Sequence, residues 1–316
     1  MALREAFSSS GIAQLALLGT IWGATFPIAR VGVQAGADPV LLVALDLLLA
    51  TAVMASVAAV TRTQLPRLRE MVQSAGLGAL LIGGINLTLY WGLQFATGGT
   101  ASIVYATSPI LSLVVLVILR APVEIRRRQV AALAIGLGGV VLLAVATTQG
   151  SLVAGLGALA AFALGAACQG TGAVLVGRSR PHGENHWGLT FQFVGGAVAA
   201  FVLLPLLSRS PTLPISAATI GSIAFVGVVT MAFGYTLFFA MIQRFGAVRA
   251  NQVTFLNPVV ALVIGVFAFG EGFQPIEAVA LACIVVALGL LQPRTKPQPA
   301  ASSPPGRPNS DGAEAG

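Results

Sequence analysis

The sequence predicts an all-α integral membrane protein with ten transmembrane helices, arranged as two inverted five-helix repeats. Three observations lead there. The chain of 316 residues is 56% hydrophobic and only 9% charged, whereas soluble domains carry about a quarter of their residues as charged side chains. Apolar stretches of about 20 residues, enough to cross a hydrocarbon core, recur from Gly11 to Leu291 with little between them. The basic residues lie in alternate connections: of 17 Lys and Arg, only Arg30 and Arg209 fall on one side of a ten-span topology and the rest fall on the other. The positive-inside rule then places both termini in the cytoplasm and supports an even number of spans.

The spans run 11–34, 39–60, 72–94, 98–119, 129–147, 151–177, 187–207, 217–243, 247–269 and 274–292. Runs such as Leu111 to Leu119 are apolar on nearly every face, unlike the alternating strands of a β-barrel. The first span has no A-x-A cleavage site and continues through Phe26 to Arg30, so it reads as a helix and not as a signal peptide. Trp22, Phe26 and Arg30 recur every four residues along it, which puts them on one face. Pro39 opens the second span, which contains Asp46. Asn86, Tyr90 and Gln94 form a similar stripe in the third. Tyr105, Ser108 and Ser112 cluster about Pro109 in the fourth. Small residues crowd the fifth, sixth and tenth spans, and the sixth also carries Gln169. The eighth holds Tyr235 and Phe239, and the ninth holds Asn257 and Pro258. Residues 1–10 read as a cytoplasmic N-terminus. From Pro293 to Gly316 the composition turns to Pro, Ala, Ser and Gly, as in a disordered cytoplasmic tail.

The chain also matches itself. Ser108-Pro109 and Asn257-Pro258 stand 149 residues apart, as do Gln94 and Gln243. Glu124 is echoed by Glu271, 147 residues on, and Trp22-Gly23-Ala24 by Leu164-Gly165-Ala166, 142 on. The repeats are therefore 11–147 and 151–292. Five is odd, so the second repeat enters the membrane from the opposite side, an architecture of secondary transporters. Pro109 and Pro258 near the middle of their spans disturb the carbonyls of Tyr105 and Thr254. Lipid cannot satisfy such groups, so both breaks are expected to face protein or a water-filled cavity at the midplane.

The Trp22-Gly-Ala-Thr-Phe-Pro27 run, Pro39, the Ser108-Pro109 and Asn257-Pro258 pairs, Glu124 and Gly270-Glu271 resemble the EamA type of the drug/metabolite transporter superfamily. The resemblance spans nearly the whole chain except the tail. It implies a ten-helix exporter of amino acids or related metabolites, with a central cavity formed by spans 1, 3, 4, 6, 8 and 9. One position departs from the pattern: many members have a basic residue about seven positions after the proline that opens the second span, where this chain has Asp46.

The expected cavity residues are Trp22, Phe26, Asn86, Tyr90, Tyr105, Ser108, Gln169, Tyr235, Phe239 and Asn257, with Pro109 and Pro258 as helix breaks. Tyr and Trp offer an apolar wall with one polar handle, suited to an amphipathic solute. Interhelical hydrogen bonding is the alternative role for each polar member. Asp46 and Arg30 are the clearest ionisable residues within spans, and they flank one short external loop. A mutual ion pair is expected, with proton uptake by Asp46 as the functional alternative.

Other signals point to nothing further. His182, Glu184 and His186 match no metal-site spacing. HExxH, GxSxG, Walker A and Rossmann glycine motifs are absent, which argues against a membrane enzyme or an ATP-driven pump. Cys168 and Cys283 read as small packing residues, and the Gly19-to-Gly23 step as close helix packing in a monomer. No cofactor, metal or nucleic-acid partner is expected; the partners are a small-molecule substrate and the bilayer of the cell inner membrane. The sequence supports a secondary-active metabolite exporter, with import of a vitamin-like aromatic such as riboflavin, or multidrug efflux, as the alternatives.

Overall fold

The computed structural model describes residues 9–120, 127–128, 131, 134–136, 138–139, 142, 152–178, 186–208, 210–246, 250–270 and 275–291. Most of the fifth expected span, together with Glu124, His182, Glu184, Arg209, Glu271 and the tail, lies outside these residues. Among the described residues every element is helical and none is a strand.

The helices are α1 (Ser9–Gln34), α2 (Pro39–Val60), α3 (Leu68–Gly92), α4 (Gly98–Ile118), α5 (Leu152–Arg178), α6 (His186–Leu207), α7 (Ala217–Phe245), α8 (a 3₁₀ turn Asn251–Phe255 followed by Asn257–Phe269) and α9 (Pro275–Leu291). Seven of them, α1 to α7, are long and apolar enough to cross a membrane, and α8 and α9 are shorter apolar helices.

Local chemistry sets their ends. Asp38 caps α2: its Oδ1 accepts from the backbone N–H groups of Val40 and Leu41, each at 2.9 Å. Pro39 occupies the first turn, where its missing N–H costs no hydrogen bond. The other Asp38 oxygen accepts from the Ser208 hydroxyl just beyond α6, tying two helix ends together. Thr97 starts α4 by accepting from the Thr100 N–H at 3.1 Å, and Ser216 does the same for α7 at Thr219. α8 ends on Gly270 with φ 65°, a left-handed conformation that glycine adopts without a Cβ penalty.

Four interruptions shape the interior. α4 breaks at Ala106 and Thr107 and resumes at Ser108 with Pro109 in the new first turn. α8 turns from 3₁₀ to α at Asn257, with Pro258 in the corresponding place. Each proline therefore opens a fresh segment, and neither lies within a continuous helix. Pro27, by contrast, sits inside an unbroken α1. α3 contains a π segment at Ala79–Gly83 and α7 another at Phe225–Gly234, their first residues 146 positions apart. Such segments are rare and concentrate at functional sites.

α6 packs along α2 and crosses the first half of α3. That crossing is close: a Cβ on Gly78 would overlap the backbone of Gln192, and one on Gly195 the backbone of Ala75. α5 lies against α3 and α4, and α8 against α1 and α4. The core holds Leu18, Leu42, Leu47, Phe162 and Phe193. Large apolar side chains such as Val153, Leu206 and Phe267 point outward at 76–85% exposure, as a lipid-facing surface requires.

Candidate functional site

A cavity lies where α1, α3, α4, α5, α7 and α8 converge. α1 contributes Trp22, Thr25 and Phe26, one helical turn apart or less, and α3 contributes Ile85, Asn86 and Leu89. Tyr105 comes from the last turn of α4 before its break, and Asn257 is the first residue of the α segment of α8. Gln169 enters from α5, and Thr230, Met231 and Tyr235 from the π segment of α7 and the residue after it. About 40 Å³ is open to the centres of water molecules, room for a few waters.

Aromatic rings form much of the wall. Trp22 packs against Tyr235 at 5.5 Å between ring centres and against Phe238 at 4.7 Å. Phe26 meets Tyr105 edge-on at 5.5 Å. Glycines make room for two of these rings. A Cβ on Gly234 would lie 2.9 Å from the Trp22 indole nitrogen, and one on Gly165 would overlap the Tyr105 hydroxyl. The Tyr105 hydroxyl donates to the Ile85 carbonyl at 2.8 Å, which fixes its ring. Thr25 and Thr230 share a hydrogen bond of 2.8 Å across the wall. Asn86 donates to the Ile82 carbonyl at 2.8 Å.

Three polar atoms on the wall have no hydrogen-bond partner: the indole N–H of Trp22, the amide nitrogen of Gln169 and the amide oxygen of Asn257. Buried polar groups are nearly always paired, because an unpaired one costs about 1–3 kcal/mol. Two donors and one acceptor thus stand unpaired on residues of the lining, and none of the described lining residues carries a formal charge.

The structure gathers Trp22, Phe26, Asn86, Tyr105, Gln169, Tyr235 and Asn257 at this cavity and leaves three expected members out. Tyr90 is fully buried elsewhere, donating its hydroxyl to Asp46 Oδ2. Ser108 is buried at the α4 break with no partner for its hydroxyl, and beside it Ser112 accepts from Asn251 at 2.8 Å. Phe239 packs on Tyr235 and Phe238, one layer behind the wall. Gln94 lies past the end of α3 and is exposed, so the expected stripe stops at Tyr90.

Arg30 does not hydrogen-bond to Asp46 Oδ1, which has no partner, and the donor to Oδ2 is Tyr90. The expected Arg30–Asp46 pair thus gives way to a Tyr90–Asp46 pair. The physical reason is lateral position: Asp46 points towards α3, where a rigid phenol is already at hydrogen-bond distance. Thr25, Thr230 and Met231 line the cavity without any signal in the sequence, since Thr and Met are common in apolar helices. Glu277 was equally inconspicuous. It is buried, 4% exposed, near the start of α9 and accepts from the Thr100 hydroxyl at 3.0 Å.

The model of the EamA-like transporter family matches the chain twice, over residues 9–145 and 155–291. The chain belongs to this family. It is therefore a multi-pass membrane protein of a transporter family. It is 26% identical over 307 residues to a probable terminal-alkyne amino-acid exporter of Streptantibioticus cattleyicolor, covering 95% of this chain and 99% of that protein. It is also 26% identical over 275 residues to the inner membrane transporter YedA of Escherichia coli, covering 86% of this chain and 87% of YedA. One crystal structure superposes with a TM-score of 0.61 at 21% identity, covering 88% of this chain and 96% of the other; at that identity it speaks for the fold alone. The family and these relatives point to transport and away from enzymatic chemistry.

Proposed function

We propose that this chain is a secondary-active exporter of small amphipathic metabolites, amino acids in the first place, working by alternating access around the central cavity. The observation that carries the reading is the trio of unpartnered polar atoms on Trp22, Gln169 and Asn257. The two donors suit a carboxylate. The Asn257 oxygen, in a lining that includes aromatic rings able to attract cations, suits an ammonium group. A zwitterion fits an uncharged lining, because it brings both charges itself. The relative named as an amino-acid exporter supports the same cargo class.

The ten-span, two-repeat architecture belongs to this proposal. Its supports are the double family match, the paired proline-opened segments of α4 and α8, and the paired π segments of α3 and α7. Two bundles of opposite orientation rock about a shared site and expose it to each side in turn. The cavity holds only a few waters, so entry of an amino acid requires the bundles to part. The basic loops support an inner-membrane topology with both termini in the cytoplasm.

Reconstitution tests it. Liposomes containing the purified chain should move a radiolabelled neutral amino acid such as phenylalanine chemically unchanged, with competition from other neutral amino acids. Conversion without flux, or no saturable flux of any amino acid, would overturn the reading. The aromatic wall also favours a second cargo, a flat vitamin-like solute, and riboflavin in the same assay separates the two.

A further inference from the structure

The Tyr90–Asp46 pair lies outside the cavity, and its burial calls for a reason. Asp46 is 1% exposed and Tyr90 is fully buried. Tyr90 donates to Oδ2, while Oδ1 has no hydrogen-bond partner. Seven residues separate Asp46 from Pro39 at the start of α2, which puts the carboxyl about 10 Å along the helix from that end. An ionisable group at that depth is costly to keep and in membrane proteins usually serves transport.

Two further contacts tie the pair to the moving parts. Gly227, within the π segment of α7, packs so closely on the backbone at Asp46 that a Cβ there would lie 3.0 Å from the Asp46 carbonyl oxygen. Tyr90 lies one helical turn from Asn86, which lines the cavity, and both are on the same face of α3. The backbone at Asp46 therefore packs on the helix that supplies Thr230 and Tyr235 to the cavity, while its carboxyl is hydrogen-bonded to the helix that supplies Asn86.

Among the described residues, few other ionisable groups lie on the helices packed against α2. α1, α3, α6 and α7 pack on α2. α1 brings Arg30; α3 brings Tyr90, with Arg69 and Glu70 at its opposite end; α6 brings His186 at its first residue; and α7 brings Tyr235 and Arg244.

We propose that Asp46 carries the proton exchanged for the exported solute, with Tyr90 as its positioning residue. The inference rests on the transport reading given above. In the step itself a proton from the aqueous phase forms an O–H bond at Oδ1, and the same bond breaks when the rearranged bundle opens to the other side. One positive charge moves inward for each solute moved outward, and no other reactant is needed.

The purified full-length protein in liposomes, with phenylalanine as the probe and a trapped pH dye, tests this. Across a gradient of one pH unit the wild type should accumulate phenylalanine up to about tenfold, since one unit is a factor of ten in driving force. Asp46→Asn should keep exchange of labelled for unlabelled phenylalanine at equal pH, and lose both the gradient-driven accumulation and the accompanying dye signal. Tyr90→Phe should keep coupling with a shifted pH midpoint. Accumulation by Asp46→Asn equal to the wild type overturns the proposal. If the wild type moves no phenylalanine, the cargo assignment fails separately, and infrared titration of the protein in detergent decides the proton site. A protonated-carboxyl band that titrates in the wild type and is missing from Asp46→Asn upholds it; identical spectra sink it.

Discussion

Thr25 of α1 and Thr230 of α7 hydrogen-bond to each other at 2.8 Å, although 205 positions separate them in the chain. Each lies in a different copy of the family match, so this bond bridges the two halves at the cavity wall. Side chains this close suit a disulfide, whose Cβ atoms stand about 3.8 Å apart. In a background with Cys168→Ser and Cys283→Ser, the pair Thr25→Cys and Thr230→Cys should cross-link on oxidation and stop transport. Reductant should restore it. Cross-linked protein that transports at the full rate would mean that the halves do not separate here.

Gln169 carries an amide nitrogen with no partner, a group that costs stability unless a solute uses it. Gln169→Leu should therefore raise the stability of the solute-free protein by about 1–3 kcal/mol while weakening solute binding. Thermal unfolding in detergent and the KM for transport measure the two effects. A parallel loss of both would assign the amide a packing role.

Gly165 and Gly76 predict opposite outcomes for the same substitution. Alanine at Gly165 collides with the Tyr105 hydroxyl and should cost about 1–3 kcal/mol through overpacking. Alanine at Gly76 meets nothing within 4 Å and should stabilise α3 by about 0.5–1 kcal/mol. Melting temperatures in one detergent compare them directly.

Asp38 holds the start of α2 and the end of α6 at once. Asp38→Ala should lose about 1 kcal/mol from the cap alone, whereas Asp38→Asn, which keeps a capping oxygen, should lose less. The difference is again read as a shift in melting temperature.

Hydropathy made the helices legible, because lipid demands long apolar segments whatever their neighbours. The proline-opened segments were legible as well, since proline acts on its own backbone. Periodicity did less for the site, for it assigns a residue to a face without saying what stands opposite. Asn86 and Tyr90 share a face of α3, yet one meets the cavity and the other meets Asp46. The π segments of α3 and α7 left no mark in composition, and the one in α7 carries Thr230 and Met231 of the cavity wall. Glu277 sits three residues into its helix, where hydropathy alone cannot tell a buried carboxyl from an interfacial one.

The sockets cut by Gly165 and Gly234 bear on how such a protein diversifies. The postures of Tyr105 and Trp22 depend on atoms that are missing behind them. A single methyl group added at either glycine would tilt a ring and reshape the chamber while every solute-facing side chain kept its identity. A lineage can thus retune its cargo from positions that no cargo touches. Selection for growth on a toxic amino-acid analogue should recover changes at residues 165 and 234 alongside those on the wall itself.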